Sequence, residues 1–200
     1  MKTFCTIAIT ILVLHSCTNN NKQTSPPDDI NEKKTDSFFP VTSFIKGQII
    51  TLDSLPVTPL QITTIKEKTD SAWIPIAALK PLFLPFLTPE INETKFTKYF
   101  KETKFNDQTL NAITFTYDPI NAIPDSLTLR HWDVYVDPET GNVIKVYIVK
   151  EIKENNQIFT QQLTWQTDKL AKISTILNKP DGNMELLKEV VFIWAFTPIP

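Results

Sequence analysis

The sequence predicts an α+β domain: a curved antiparallel β-meander, an incomplete barrel or open sheet, with an N-terminal helix packed on one face. Three observations predict it. Apolar residues from Val41 to Leu55 recur at three- and four-residue steps, the period of a helix face. From Lys104 onward the period falls to two, in short runs rich in β-branched and aromatic residues. Brief turns join those runs, and short connections make neighbouring strands antiparallel.

Val41, Phe44, Ile45, Ile49, Leu52 and Leu55 carry the helix. Pro40 falls in its first turn, where a missing N–H is harmless, and Pro56 ends it. Gly47 costs about 1 kcal/mol against alanine inside a helix and suggests close packing on the sheet. Residues 60–66 and 71–76 then read as a hairpin around Glu67-Lys68-Thr69-Asp70. Over residues 76–89, Pro81, Pro85 and Pro89 recur every fourth position, so no straight helix runs through. A kinked apolar segment is predicted there, followed by a short helix over residues 93–100. Leu82, Phe83, Leu84, Phe86 and Leu87 in that segment read first as a cap on the core, because large apolar stretches are usually buried. Their functional reading is a lid or a set of ligand contacts, and Trp132 is a candidate contact with them.

The meander runs through residues 112–117, 127–136, 143–152, 158–166 and 170–177, giving roughly five to seven strands with its neighbours. Asp137-Pro138-Glu139-Thr140-Gly141-Asn142 is a turn with a glycine available for positive φ. Phe159, Leu163 and Trp165 alternate onto one face of their strand, and Val190, Phe192, Trp194 and Phe196 onto one face of the last. Trp165 and Trp194 therefore read as core rather than as an aromatic groove.

Composition excludes several functions. With 200 residues and a formal net charge of −2 there is no basic excess to hold nucleic acid. Glycine occurs 3 times, which excludes glycine-rich phosphate loops. One cluster has the residue types of a site: Leu129-Arg130-His131-Trp132-Asp133. Period two places His131 and Asp133 on one face, with Arg130 and Trp132 on the other. A histidine and a carboxylate can form a base and its orienter, but no Gly-x-Ser-x-Gly elbow supplies a nucleophile. Zinc needs three or four ligands, and one histidine with scattered carboxylates does not make them. Arg130, His131 and Asp133 are thus a possible polar site whose plainer reading is a cross-strand ion pair. No catalytic residue, metal ligand or cofactor is assigned.

The N-terminus carries the clearest signal. Lys2 precedes the apolar run 6–14, far short of the roughly 20 residues that span a bilayer, and fits an export signal. Leu14-His15-Ser16-Cys17 resembles the lipobox of bacterial lipoproteins. The resemblance implies cleavage between Ser16 and Cys17 and acylation of the Cys17 thiol, with palmitate-type chains as the membrane anchor. Two or three chains anchor stably, at about 0.8 kcal/mol per buried CH₂. The sequence contains 2 cysteines, and Cys5 leaves with the signal, so no disulfide is available to the mature chain. Residues 18–36 are polar and read as a linker that holds the body roughly 25 Å from the membrane. The organisation is then a cleaved signal (1–16), an acylated cysteine and linker (17–36), and one α+β domain (37–200).

Two further resemblances bear on the body. Trp132-Asp133-Val134-Tyr135-Val136-Asp137 with Thr140-Gly141-Asn142-Val143 is similar to the strand–turn–strand of PepSY-type exported modules. A helix ahead of a long meander resembles the layout of the LolA/LolB lipoprotein-carrier group, which implies an acyl-chain cavity. The expectation is a lipid-anchored, non-catalytic binding module at the outer membrane facing the periplasm, with an envelope protein or small apolar ligand as partner. A lipid carrier is the alternative, and a hydrolase centred on His131 ranks below both.

Overall fold

A single nine-stranded sheet organises the described residues. The computed structural model describes residues 37–195, which lie within the compact unit Thr35–Pro200. The lipobox at Ser16 and Cys17, the linker and Phe196 fall outside the described residues. The strands are β1 (Leu60–Ile65), β2 (Lys68–Trp73), β3 (Phe100–Asp107), β4 (Ala112–Pro119), β5 (Leu129–Val136), β6 (Val143–Glu154), β7 (Gln157–Gln166), β8 (Leu170–Asn178) and β9 (Met184–Ile193). All pairs are antiparallel, in the order β2-β1-β9-β8-β7-β6-β5-β4-β3. The meander predicted from period two is β3 to β9, and the early hairpin extends it by pairing β1 on β9. The sheet is open, with β2 and β3 at its edges. Both edges are largely exposed and carry Lys68, Asp70, Lys101, Glu102 and Lys104. Charges on a free edge oppose strand addition by another chain.

Three helices, α1 (Val41–Ser54), α2 (Ile76–Leu82) and α3 (Leu84–Leu87), supply the layer on one face. Val41, Thr42, Ile45, Ile49 and Leu52 are the buried stripe of α1, as the three- and four-residue spacing requires. Leu55, placed on that stripe by spacing, instead lies past the helix end in extended backbone, because the residue before a proline is pushed out of the helical region. Gly47 is exposed with nothing within 4 Å of the position a Cβ would take, so it marks no close approach to the sheet. Thr42 is buried and ties α1 to the chain behind it: its Oγ1 accepts from Ile91 N at 2.8 Å, and its N–H donates to Ile91 O at 3.1 Å.

The proline-spaced segment is kinked as predicted. Pro81 lies inside α2, Pro85 falls in the first turn of α3, and Phe83 joins the two at φ −89°, ψ 0°. The predicted helix over 93–100 does not form. Residues 93–99 are turns closed by i→i+3 bonds such as Tyr99 N to Phe96 O at 2.9 Å. Asn92 Oδ1 takes the Lys95 N–H, and Thr97 donates its hydroxyl to Thr94 O. These side chains compete for the groups a helix would use. The first hairpin also turns earlier than predicted: Ile65 pairs with Lys68 across the two-residue loop Lys66-Glu67, so Lys68 to Asp70 belong to the strand.

Aromatic rings fill the space between helices and sheet. Phe83, fully buried, sits 5.1 Å from Trp165, 5.2 Å from Phe192 and 6.3 Å from Trp194, all edge-to-face. Trp132 forms a second centre, stacked on Tyr117 at 4.6 Å and met edge-on by Phe100 at 4.7 Å. Each such pair adds about 0.5–1.5 kcal/mol beyond the area it buries. Phe83→Ala should lower the unfolding free energy by about 3–5 kcal/mol in a denaturant titration. Its neighbour Leu84, 55% exposed, should cost no more than about 0.5 kcal/mol as Leu84→Ala.

Candidate functional site

The face of the sheet opposite the helices is polar where β4, β5 and β6 cross, and the His131 cluster lies there. His131 is bracketed by two carboxylates: Nδ1 lies 2.9 Å from Asp118 Oδ1, and Nε2 lies 3.1 Å from Asp133 Oδ2. Asp133 is buried and also accepts from the Thr116 hydroxyl at 2.7 Å and the Tyr135 hydroxyl at 3.3 Å. Hydrogen bonding to Asp133 raises the His131 pKa above its usual value against the cost of burial, with Asp118 adding to the rise. Burial pushes the Asp133 carboxyl up, but the bonds from His131, Thr116 and Tyr135 outweigh it and hold the group below its usual value. Burial, then the charge of Asp133, pushes Tyr135 up to about 12.

Arg130 departs from simple alternation. Leu129 pairs with Lys150 and His131 with Val149, leaving Arg130 as the extra residue of a β-bulge. Its guanidinium reaches Glu151 Oε1 at 3.1 Å. Glu151 follows Lys150, which points into the core, so Arg130 shares the outer face with His131 instead of the face of Trp132. Trp132 is fully buried against Tyr117, Phe100 and Phe96, inside the core and not at a ligand surface.

This arrangement is poor for base catalysis. A general base needs a free lone pair, and each ring nitrogen of His131 faces a carboxylate. The Thr116 hydroxyl is bonded to Asp133 and not to the imidazole. Asp118 and Asp133 lie on opposite edges of the ring, and among the described residues no group of three or more His, Cys, Asp or Glu side chains could hold a metal ion. The cluster is a cross-strand network joining β4 to β5.

Tyr135 continues this network into a recess of about 570 Å³ at the end of the outer face. Tyr135, Lys145 and Gln166 stand side by side in register across β5, β6 and β7. The turns after β3, β5 and β7 close the recess with Leu110, Asn142 and Asp168. Lys145 Nζ lies 3.6 Å from the centre of the Tyr135 ring, a cation–π contact. Burial lowers the Lys145 pKa, and the charges of Asp133 and Asp107 oppose the shift. On the helix-covered face, Leu82 walls a smaller hollow of about 240 Å³ over Ile173, Val190 and Phe192. Within the predicted lid segment, Phe83 and Phe86 are core, Leu87 packs against the core, and Leu82 and Leu84 are 38% and 55% exposed. Trp73 lies exposed on edge strand β2.

The chain matches no known protein family, no curated protein and no solved structure.

Sequence reasoning missed Lys150. It occupies the inward phase of β6, after Val146 and Ile148, and is 4% exposed. Its ammonium donates to Pro85 O and Thr88 O at the end of α3. These carbonyls have no helical partner, and the positive charge suits the negative end of a helix. Burial alone lowers its pKa to about 8. The signal was present: a lysine at the inward phase of an otherwise apolar alternation, just ahead of Ile152.

Two pH effects follow. His131 is held above its unfolded pKa, so its stabilisation is fully present below about pH 6.5 and is lost as pH rises through the raised folded value. His131→Gln should remove this slope and cost roughly 1–2 kcal/mol at about pH 5.5, and less at about pH 9, by chemical denaturation. Lys150 has the opposite sign. Between its folded value of about 8 and the ordinary lysine value of 10.5 the unfolded chain holds the extra proton, so stability rises with pH in that window. Lys150→Met should abolish the rise.

Proposed function

We propose that this is a lipid-anchored cell-envelope protein, tethered through Cys17, whose sheet is a non-catalytic binding module facing the periplasm from the outer membrane. The observation that carries the binding reading is the division of labour between the two faces. Helices and aromatic rings fill one face, and the other bears an ordered polar network opening into a recess of about 570 Å³. Small-molecule sites generally measure 300–1,000 Å³ and combine apolar walls with a few fixed polar groups. The anchoring reading rests on Leu14-His15-Ser16-Cys17 and the apolar run before it.

Support for the carrier alternative is weaker. An acyl chain needs an apolar cavity, and here Phe83, Phe86, Trp165, Phe192 and Trp194 occupy the space between α2–α3 and the sheet with ring centres 5.1–6.3 Å apart. A hydrolase at His131 would find each ring nitrogen facing a carboxylate and the nearby Thr116 hydroxyl bonded to Asp133.

The chain and its Cys17→Ala variant, expressed in a diderm bacterium fed labelled palmitate, test both parts. The wild type should carry label and sediment with outer membranes. The variant should be unlabelled and soluble, and native mass spectrometry should show it at its bare protein mass. A labelled, membrane-bound variant overturns the anchor, and co-purifying lipid in the soluble variant decides for the carrier.

A further inference from the structure

We propose that the recess at the turn end of the outer face binds a small zwitterion, an α-amino acid or short peptide, with its carboxylate on the Lys145 ammonium and its amine on the Asp168 carboxylate. The inference supplies a ligand class for the binding-module reading and rests on it.

The cation is held in place before any ligand arrives. The Tyr135 hydroxyl is tied to Asp133, which Thr116 and His131 fix in turn, and the Lys145 ammonium rests 3.6 Å from the centre of that tyrosine ring. Groups held by their own neighbours lose little freedom on binding, which favours affinity. Yet Lys145 has no carboxylate oxygen within 4.0 Å among the described residues. The half-buried ammonium feels Asp133 and Asp107 only at longer range, which leaves it able to take an anionic group in direct contact.

Asp168, in the lining of the same recess, is likewise without an ion pair among the described residues. Asp168 stands at φ +56° in the turn after β7. The turn is pinned on both sides: Lys169 N donates to Gln166 O at 3.1 Å, and Lys169 O accepts from Trp194 N at 3.1 Å. The Asp168 carboxylate nevertheless has no hydrogen bond or ion pair among the described residues. Asp137, the other acid of the recess, is already used by the Glu139 and Thr140 N–H groups.

Charge balance then selects the ligand. A simple anion would meet Lys145 and Lys169 but face Asp168 unpaired; a simple cation would suffer the reverse. A molecule carrying both charges can meet Lys145 with one and Asp168 with the other. The amides of Gln166 and Asn142 in the same lining suit a peptide group, and Leu110 and Ile144 add apolar surface for a side chain.

The test titrates the full-length protein in mild detergent with the standard amino acids and with Ala-Ala, by isothermal titration calorimetry. At least one should bind with a Kd of about 1 mM or tighter. Acetylating its amine, or amidating its carboxylate, should weaken binding about tenfold or more. Lys145→Met and Asp168→Asn should each weaken it by a similar factor, with Asp168→Asn leaving the unfolding midpoint unchanged because that carboxylate has no bond to lose. Failure of every probe, or binding indifferent to both blocking groups or to both variants, overturns the inference. Such a failure leaves the binding-module reading standing; that reading falls if lipid co-purifies with the Cys17→Ala protein.

Discussion

The wedge made by Phe83 is the contact on which the rest of the architecture depends. The α2–α3 part of the helical layer spans only Ile76–Leu87 and must be secured to the nine-stranded sheet through few residues. Phe83 sits at their joint and drives between Trp165, Phe192 and Trp194, which come from β7, β9 and the residue just after β9. Phe86 repeats the contact one turn later, at 5.4 Å from Trp165. The prolines break the segment at Phe83, and Phe86, three residues on, falls on the same side. Lys150 completes the attachment from the sheet by holding the carbonyls of Pro85 and Thr88. A buried ammonium is costly, and it is offset here by two acceptors that would otherwise lie unpaired.

Covering one face leaves the other to water, and the composition of the outer face follows. Thr116, Asp118, His131, Asp133, Tyr135, Lys145 and Tyr147 are in phase with one another and out of phase with Tyr117, Trp132, Val134, Val146 and Ile148. An exposed face with so many hydrogen-bonding groups orders itself by pairing them across strands, and the two carboxylates around His131 are the densest case. The same pairing fixes Tyr135 and through it the Lys145 ammonium. The polar network thus acts as a foundation for the recess beside it rather than as a reactive centre.

Much of the fold was legible in the chain. The stripe of α1, the kink over 76–89, the run of antiparallel strands and the inward placement of Trp165 all come from period and proline spacing, which are local properties. The candidate site was legible only in part. His131 and Asp133 were placed on one face by alternation, but Asp118, Thr116 and the recess residues arrive from β4, β6 and β7, and nothing in one strand announces its neighbour's register. Arg130 was misplaced for a related reason: a bulge adds one residue and inverts the phase locally, and no turn residue marks it in Leu129-Arg130-His131. The helix expected over 93–100 failed because Asn92, Thr94 and Thr97 satisfy the backbone locally, a competition that apolar spacing does not register.

By itself, then, the sequence determined the class of fold, the identity of the core aromatics on β7 and the last strand, and the resemblance of Leu14-His15-Ser16-Cys17 to an acylation signal, because each depends on residues adjacent in the chain. Tertiary structure alone decided that Lys150 is buried under α3, that Trp132 belongs to the core, that Arg130 joins the outer face, and that Lys145 and Asp168 line one recess. These outcomes depend on pairing between residues up to 65 positions apart, as with Lys150 and Pro85. Such pairing exists only once the strands have chosen their register, since a slip of one residue would carry every side chain to the opposite face.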